Sequence, residues 1–135
     1  MSAERIVYLD SSAIVKLVVR EPESLALRRY LRRRRTVVSS SLARVEVSRA
    51  VLHLGARAVD RARDVLQRLD LVRLSDRVLA SAEALEPAEL RTLDAIHLAT
   101  AGLLGETLGS VISYDDRLSE AARARGFAVH APGRG

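Results

Sequence analysis

The sequence predicts a single α/β domain: a mostly parallel sheet of about five strands with helices on both faces. Three observations predict it. Short apolar runs rich in β-branched residues alternate with longer stretches of helical apolar spacing along the whole chain. The first run, Ile6-Val7-Tyr8-Leu9, ends in a carboxylate, Asp10, and passes at once into Ala13, Ile14, Leu17 and Val18 at helical spacing. That is the βα corner where open sheets place their ligands. Finally, 135 residues with a 48% hydrophobic share suffice for one core and fall short of two.

Each element has its own signal. Glu21-Pro22-Glu23-Ser24 breaks the first helix and starts a second, since proline and acids suit a first helical turn. Leu25, Leu27, Tyr30 and Leu31 give that helix apolar positions, and Arg32 to Arg35 end it. Cations in a last turn complement the helix dipole, so this run reads as a solvated helix end or as a contact for nucleic acid or an acidic partner. Thr36-Val37-Val38 with Ser39 is the second strand. Ser39, Ser40 and Ser41 offer N-caps for a helix from about Leu42 to Leu54, closed by Gly55. Arg57 to Leu69 forms the next helix and Leu71 to Leu74 a short strand. Ser75-Asp76 starts a helix carrying Val78, Leu79, Ala82 and Leu85, which Pro87 ends. Thr92 caps a helix running to about Leu104, and Gly105 and Gly109 bracket a turn. Val111-Ile112-Ser113 is a strand, Leu118, Ala121 and Ala122 carry the last helix up to Gly126, and Phe127-Ala128-Val129 is the last strand. Residues 130–135 read as a loose tail.

Composition narrows the function. The net charge is +5, carried almost wholly by arginine, with Lys16 the only lysine. That balance favours a polyanionic partner or reflects a compositional bias towards arginine. At 3% aromatic, the chain is poorly equipped for base-stacking platforms. Absence of cysteine excludes disulfides, thiolate metal sites and a cysteine nucleophile. No signal-peptide pattern and no span of membrane length stand out, so a soluble cytoplasmic protein is expected.

Four acids then fall into place. Asp10 ends the first strand, and Asp115 leaves the strand that begins at Val111. Glu46 lies three residues after Ala43 and four before Ala50, within the apolar face of its helix, where an unpaired carboxylate is costly. Asp94 sits in a first helical turn, favourable on dipole grounds alone, yet Leu98 and Ala101 put it along an apolar face. In a parallel sheet with right-handed crossovers, Asp10, Glu46 and Asp115 reach one crevice, and Asp94 joins them if its helix enters from that side. Clustered carboxylates without basic partners repel one another, and a divalent cation resolves the repulsion. An all-oxygen ligand set favours Mg²⁺ or Mn²⁺, and the chemistry implied is metal-assisted hydrolysis of a nucleic-acid backbone.

Asp10 in VYLDSSAIVKL, Glu46 in SSSLARVEVSRA, Asp94 in LRTLDAIHLATA and Asp115 in VISYDDRLSEAARARG resemble, in order, the four acidic motifs of PIN domains. The similarity is strongest to the VapC-type toxin ribonucleases of toxin–antitoxin pairs, and it spans nearly the whole chain. It implies a three-layer α/β/α sandwich and an endoribonuclease dependent on Mg²⁺ or Mn²⁺. It also implies a homodimer and a cognate VapB-like antitoxin. Carried over residue by residue, Asp10, Glu46, Asp94 and Asp115 are the catalytic and metal-binding acids. Ser12 and Ser113 would orient them, and Asp116 could share or replace the role of Asp115.

Other readings fit less well. A receiver-type phosphoacceptor needs an early acidic pair and a lysine after a late strand, whereas Lys16 stands beside the first acid. A haloacid dehalogenase-type phosphatase needs a second Asp where this chain has Ser12. The alternative from another class is a non-catalytic RNA- or protein-binding domain. His97, three residues after Asp94, could approach the acids or be a hydrogen-bonded histidine at the edge of the core; His53 and His130 carry less information.

Overall fold

Strands β1 (Ile6–Leu9), β2 (Val37–Ser40), β3 (Asp70–Val72), β4 (Leu108–Ile112) and β5 (Val129–His130) pair in parallel in the spatial order β3-β2-β1-β4-β5. This computed structural model describes residues 5–33 and 36–134, so Arg34 and Arg35 of the arginine run lie outside the described residues. The chain runs outward from β1 through β2 to β3, then returns to β4 on the other side of β1. The crevice between the C-terminal ends of β1 and β4 is therefore a topological switch point, where such sheets bind ligands.

Strand alternation builds the layers. Val7 and Leu9 of β1 face one side, and Tyr8 faces the other. On the first side lie α1 (Ser11–Val18), α2 (Ser24–Leu31), α3 (Ala43–Val51) and α4 (Ala56–Gln67). The core they share with the sheet includes Ile14, Leu27, Val47 and Ala62, all fully buried. Each such aliphatic side chain larger than alanine contributes about 1.5–3 kcal/mol by leaving water. On the second side lie α5 (Asp76–Glu83), α6 (Thr92–Gly102) and α7 (Asp116–Ala124), with Leu98 of α6 packed on Leu118 and Ala122 of α7. The result is the expected α/β/α sandwich. None of the helices among the described residues is long and apolar enough to cross a membrane.

Several boundaries differ from the sequence expectation. The helix expected to reach Leu54 ends at Val51 and tightens into a 3₁₀ turn, Leu52–Leu54, before Gly55 at φ +99° redirects the chain. Thr92 does not cap α6; Arg91 takes the N-cap position with extended backbone and no side-chain cap bond. Gly109 does not end a turn but lies inside β4, which starts at Leu108. A Cβ there would stand 2.9 Å from Arg5 Cβ and 3.2 Å from Ile6 O, so glycine permits the close approach of β4 to β1. Both edge strands are short and shifted by a residue or two: β3 begins at Asp70 and β5 ends at His130.

The expectation of a loose tail from residue 130 is overturned for the described part. His130 belongs to β5. Tyr114 Oη donates to Pro132 O at 2.6 Å, and Arg134 donates to Tyr114 O and to Asp116. Gly133, at φ +87°, lies against Glu23 and Ala26 at the start of α2. These contacts tie the C-terminal segment to the start of α2 and to the exit of β4.

Candidate active site

Asp10 follows β1 directly and N-caps α1. Its Oδ1 accepts from the Ala13 N–H at 2.9 Å and from Ser12 Oγ at 2.7 Å, while Oδ2 accepts from Ser113 Oγ at 2.5 Å. Ser113 is the residue after β4, so one hydrogen bond joins the two strand ends that flank the switch point. Burial pushes the Asp10 carboxyl above its ordinary pKa, and Ser113, Ser12 and the Ala13 N–H oppose that push. Ser12 Oγ in turn accepts from the Tyr114 N–H at 2.8 Å.

Asp115 plays the same local part after β4. It N-caps α7, with Oδ1 accepting from the N–H groups of Arg117 at 2.9 Å and Leu118 at 3.3 Å. Its Oδ2 is left for Arg91, whose Nη2 lies 3.4 Å away. The same guanidinium donates through Nε to Asp94 Oδ2 at 3.1 Å. Asp94 is 8% exposed, because α6 is buried continuously from Asp94 to Ala101. The helix does enter from the strand-end side, so Asp94 and Asp115 meet at one cation.

Glu46, in the first turn of α3, reaches the same edge of the sheet. Its Oε1 accepts from Ser11 Oγ at 2.5 Å and lies 2.7 Å from His97 Nε2. Burial pushes this carboxyl up, but the hydrogen bonds from His97 and Ser11 outweigh it and leave the group below its ordinary pKa. The charge of Asp115 is near enough to raise it again slightly. Behind His97 stands Tyr8, its hydroxyl 2.7 Å from Nδ1.

The expected acids thus lie at one edge of the sheet, each on its own set of donors, and two expectations are corrected. Asp94 and Asp115 do have a basic partner, Arg91, so the cluster is not the unpartnered set the sequence suggests. Asp116 stands outside it: its side chain is 92% exposed and pairs with Arg134. Among the described residues, no three acidic or histidine side chains are drawn together tightly enough to enclose a metal ion; each acid of the cluster is engaged by protein donors instead. Ser12 and Ser113 both contact Asp10, as expected of supporting residues. His53 lies in the exposed 3₁₀ turn, and His130 packs its ring near Tyr30.

Three neighbours of the acids escaped the sequence reading. Arg91 precedes Asp94 by three residues, a pairing distance on a helix, but one arginine among many carries little signal. Ser11 was hidden beside Ser12. Tyr8 sits two residues before Asp10 and reads as strand core; only the packing of α6 reveals its partner.

One hollow opens beside the cluster and a second lies apart from it. The first, of about 510 Å³, opens beside Asp94 and Arg91, with Arg117, Glu120 and Leu90 in its wall. A larger one, about 720 Å³, lies between α3 and α4 near β3 and has none of the four acids in its lining.

A match to the PIN domain spans residues 7–124. Ribonuclease VapC46 of Mycobacterium tuberculosis is 61% identical over 126 residues, covering 93% of this chain and 97% of the relative. Ribonuclease VapC47 of the same species is 39% identical over 133 residues, covering 95% and 98%. Among solved structures, M. tuberculosis VapC20, a sarcin-ricin loop cleaving toxin, superposes with a TM-score of 0.74 at 16% identity, covering 93% of this chain and 99% of that one. VapBC2 from Rickettsia felis, bound to a promoter DNA fragment, gives a TM-score of 0.60 at 12% identity over 94% and 98%. With its parallel sheet, its switch-point acids and these relatives, the chain belongs to the PIN domain family and, within it, to the VapC group.

Proposed function

We propose that this chain is an endoribonuclease toxin of a type II toxin–antitoxin pair, that it depends on Mg²⁺ or Mn²⁺, and that Asp10, Glu46, Asp94 and Asp115 are its working acids. One observation carries the reading: Asp94 and Asp115, from different helices, meet on the Arg91 guanidinium beside Asp10 and Glu46 at the switch point. The ribonuclease names of its close relatives support the substrate class.

The donor set fits a hard divalent cation. It consists of carboxylates and serine hydroxyls with no thiolate, and the Asp94–Asp115 pair already requires a positive charge, which Arg91 supplies. Asp10, Glu46, Asp94 and Asp115 would hold the ion. When bound, it supplies a water acidic enough to attack near neutral pH and a positive charge against the phosphodiester oxygens. The protein's own part is positioning. Ser12, Ser113 and the Ala13 N–H fix both Asp10 oxygens, and Ser11 and His97 fix Glu46. Arg91 and Arg117, at the hollow beside Asp94, are suited to flanking phosphates, which makes RNA binding salt-sensitive. A VapB-like antitoxin and a homodimer are the partners that VapC membership supports.

Incubating the purified protein with total RNA in Mn²⁺, in Mg²⁺ and in EDTA, then mapping the new ends, tests this reading. Discrete cleavage in metal and none in EDTA is expected. Equal cleavage in EDTA would remove the metal from the account, and no cleavage in any condition would favour a non-catalytic binding domain.

A further inference from the structure

Behind the acids lies a buried pair, Tyr8 and His97, of which the reaction as described uses only the His97 contact with Glu46. His97 is 4% exposed and Tyr8 1%. The Tyr8 hydroxyl lies 2.7 Å from His97 Nδ1, and His97 Nε2 lies 2.7 Å from Glu46 Oε1. The two rings meet edge to face, with centroids 5.9 Å apart. The chain of contacts runs from β1, through α6, to α3, so it couples three elements that each also deliver an acid: Asp10, Asp94 and Glu46.

Donor and acceptor bookkeeping fixes the protons. An ionised carboxylate only accepts, so the short contact to Glu46 requires a proton on Nε2. A neutral ring then presents Nδ1 as an acceptor, and the Tyr8 O–H satisfies it. The reverse tautomer would set the Nε2 lone pair against the Glu46 oxygen at 2.7 Å.

We propose that His97 is a positioning residue, held by Tyr8 as the Nε2–H tautomer so that it aims the Glu46 carboxylate into the acidic cluster. This rests on the metal-dependent ribonuclease reading for its consequence, though not for its geometry. Ser11 Oγ donates to the same Glu46 oxygen at 2.5 Å, so both of these donors engage Oε1 and neither engages Oε2. A carboxylate held through one oxygen by two donors presents the other with little rotational freedom.

The experiment compares parent, His97→Leu, His97→Gln and Tyr8→Phe. Glutamine places an amide N–H about where Nε2–H stands; leucine offers no donor. For His97→Leu, Mn²⁺ affinity by calorimetry and kcat on RNA should each fall about 10-fold or more, with KM little changed. His97→Gln should recover most of both. Tyr8→Phe should fall between parent and His97→Leu. ¹⁵N-resolved imidazole NMR on the metal-free parent should report the Nε2–H tautomer, and Tyr8→Phe should lose it as a single state. The inference is overturned by an Nδ1–H tautomer in the parent, by His97→Leu keeping parental Mn²⁺ affinity, or by His97→Gln being as impaired as His97→Leu. If leucine prevents folding, the NMR result and the Gln and Phe variants still decide. Failure of the parent to cut RNA would strike the ribonuclease reading alone, because the tautomer measurement does not depend on activity.

Discussion

Ser113 Oγ donates to Asp10 Oδ2 at 2.5 Å, a hydrogen bond between residues 103 positions apart in the chain. It links the ends of β1 and β4 across the switch point and, among the described residues, is the one hydrogen bond donated to that oxygen of a buried acid. Ser113→Ala should therefore leave the Oδ2 lone pairs unsatisfied. A loss of about 1–3 kcal/mol is expected, seen as a lower thermal midpoint in EDTA. Ser113→Thr keeps the hydroxyl and should recover it. Parental stability in Ser113→Ala would mean the bond contributes nothing.

Arg91 joins Asp94 and Asp115, with half its side chain exposed. An exposed pair of this kind contributes at most about 1 kcal/mol, so Arg91→Ala should fold normally. What should change is the response to metal. Without the competing guanidinium, Mn²⁺ should bind more tightly and raise the thermal midpoint further than it does in the parent. An unchanged or weaker Mn²⁺ response would show that Arg91 and the ion do not compete.

Adjacent acids should behave differently. Asp115 caps α7 and faces Arg91, whereas Asp116 points to solvent and pairs with Arg134. Asp115→Asn should lower cleavage at least about 100-fold, as expected of a group in the reacting cluster. Asp116→Asn should cut RNA within about 2-fold of parent, since an exposed ion pair is worth little. Comparable losses in both would place Asp116 in the site after all.

Lys16 bridges Glu21 and Glu23 at 2.9 Å each and lies over the Tyr114 ring. The hydrogen bond from Lys16 holds the Glu23 carboxyl below its ordinary pKa. A depressed folded-state pKa means the stabilisation is complete above the unfolded-state value and is lost as pH falls through the folded one. Lys16→Met should thus flatten the decline in urea midpoint between about pH 5 and about pH 3. The same slope in both proteins would exclude this pair as a source of acid sensitivity.

The sequence made the sheet legible because strands β1, β2 and β4 are short β-branched runs, and it made the acids legible because Asp10 and Asp115 follow strands directly. Glu46 and Asp94 could be placed by helical spacing against Ala43, Ala50, Leu98 and Ala101. What stayed hidden depends on tertiary packing. Arg91 is one of many arginines, and its role appears only when α6 and α7 bring Asp94 and Asp115 together. Tyr8 looks like strand core, and so it is, yet its hydroxyl reaches a helix residue 89 positions later. The strand role of Gly109 was concealed because glycine normally marks a turn; here it admits a close backbone contact with Arg5 and Ile6. The tail reads as loose, and its docking through Pro132 and Arg134 depends on contacts with Tyr114 and Asp116.

The central claim is that four carboxylates form one metal-dependent site, and the direct measurement is RNA cleavage in Mn²⁺ by the parent beside Asp10→Asn, Glu46→Gln, Asp94→Asn and Asp115→Asn. Each variant, folded by circular dichroism, should lose cleavage to the level the parent shows in EDTA. A folded variant that cuts RNA at the parental rate would take its residue out of the site, and two such variants would contradict the account.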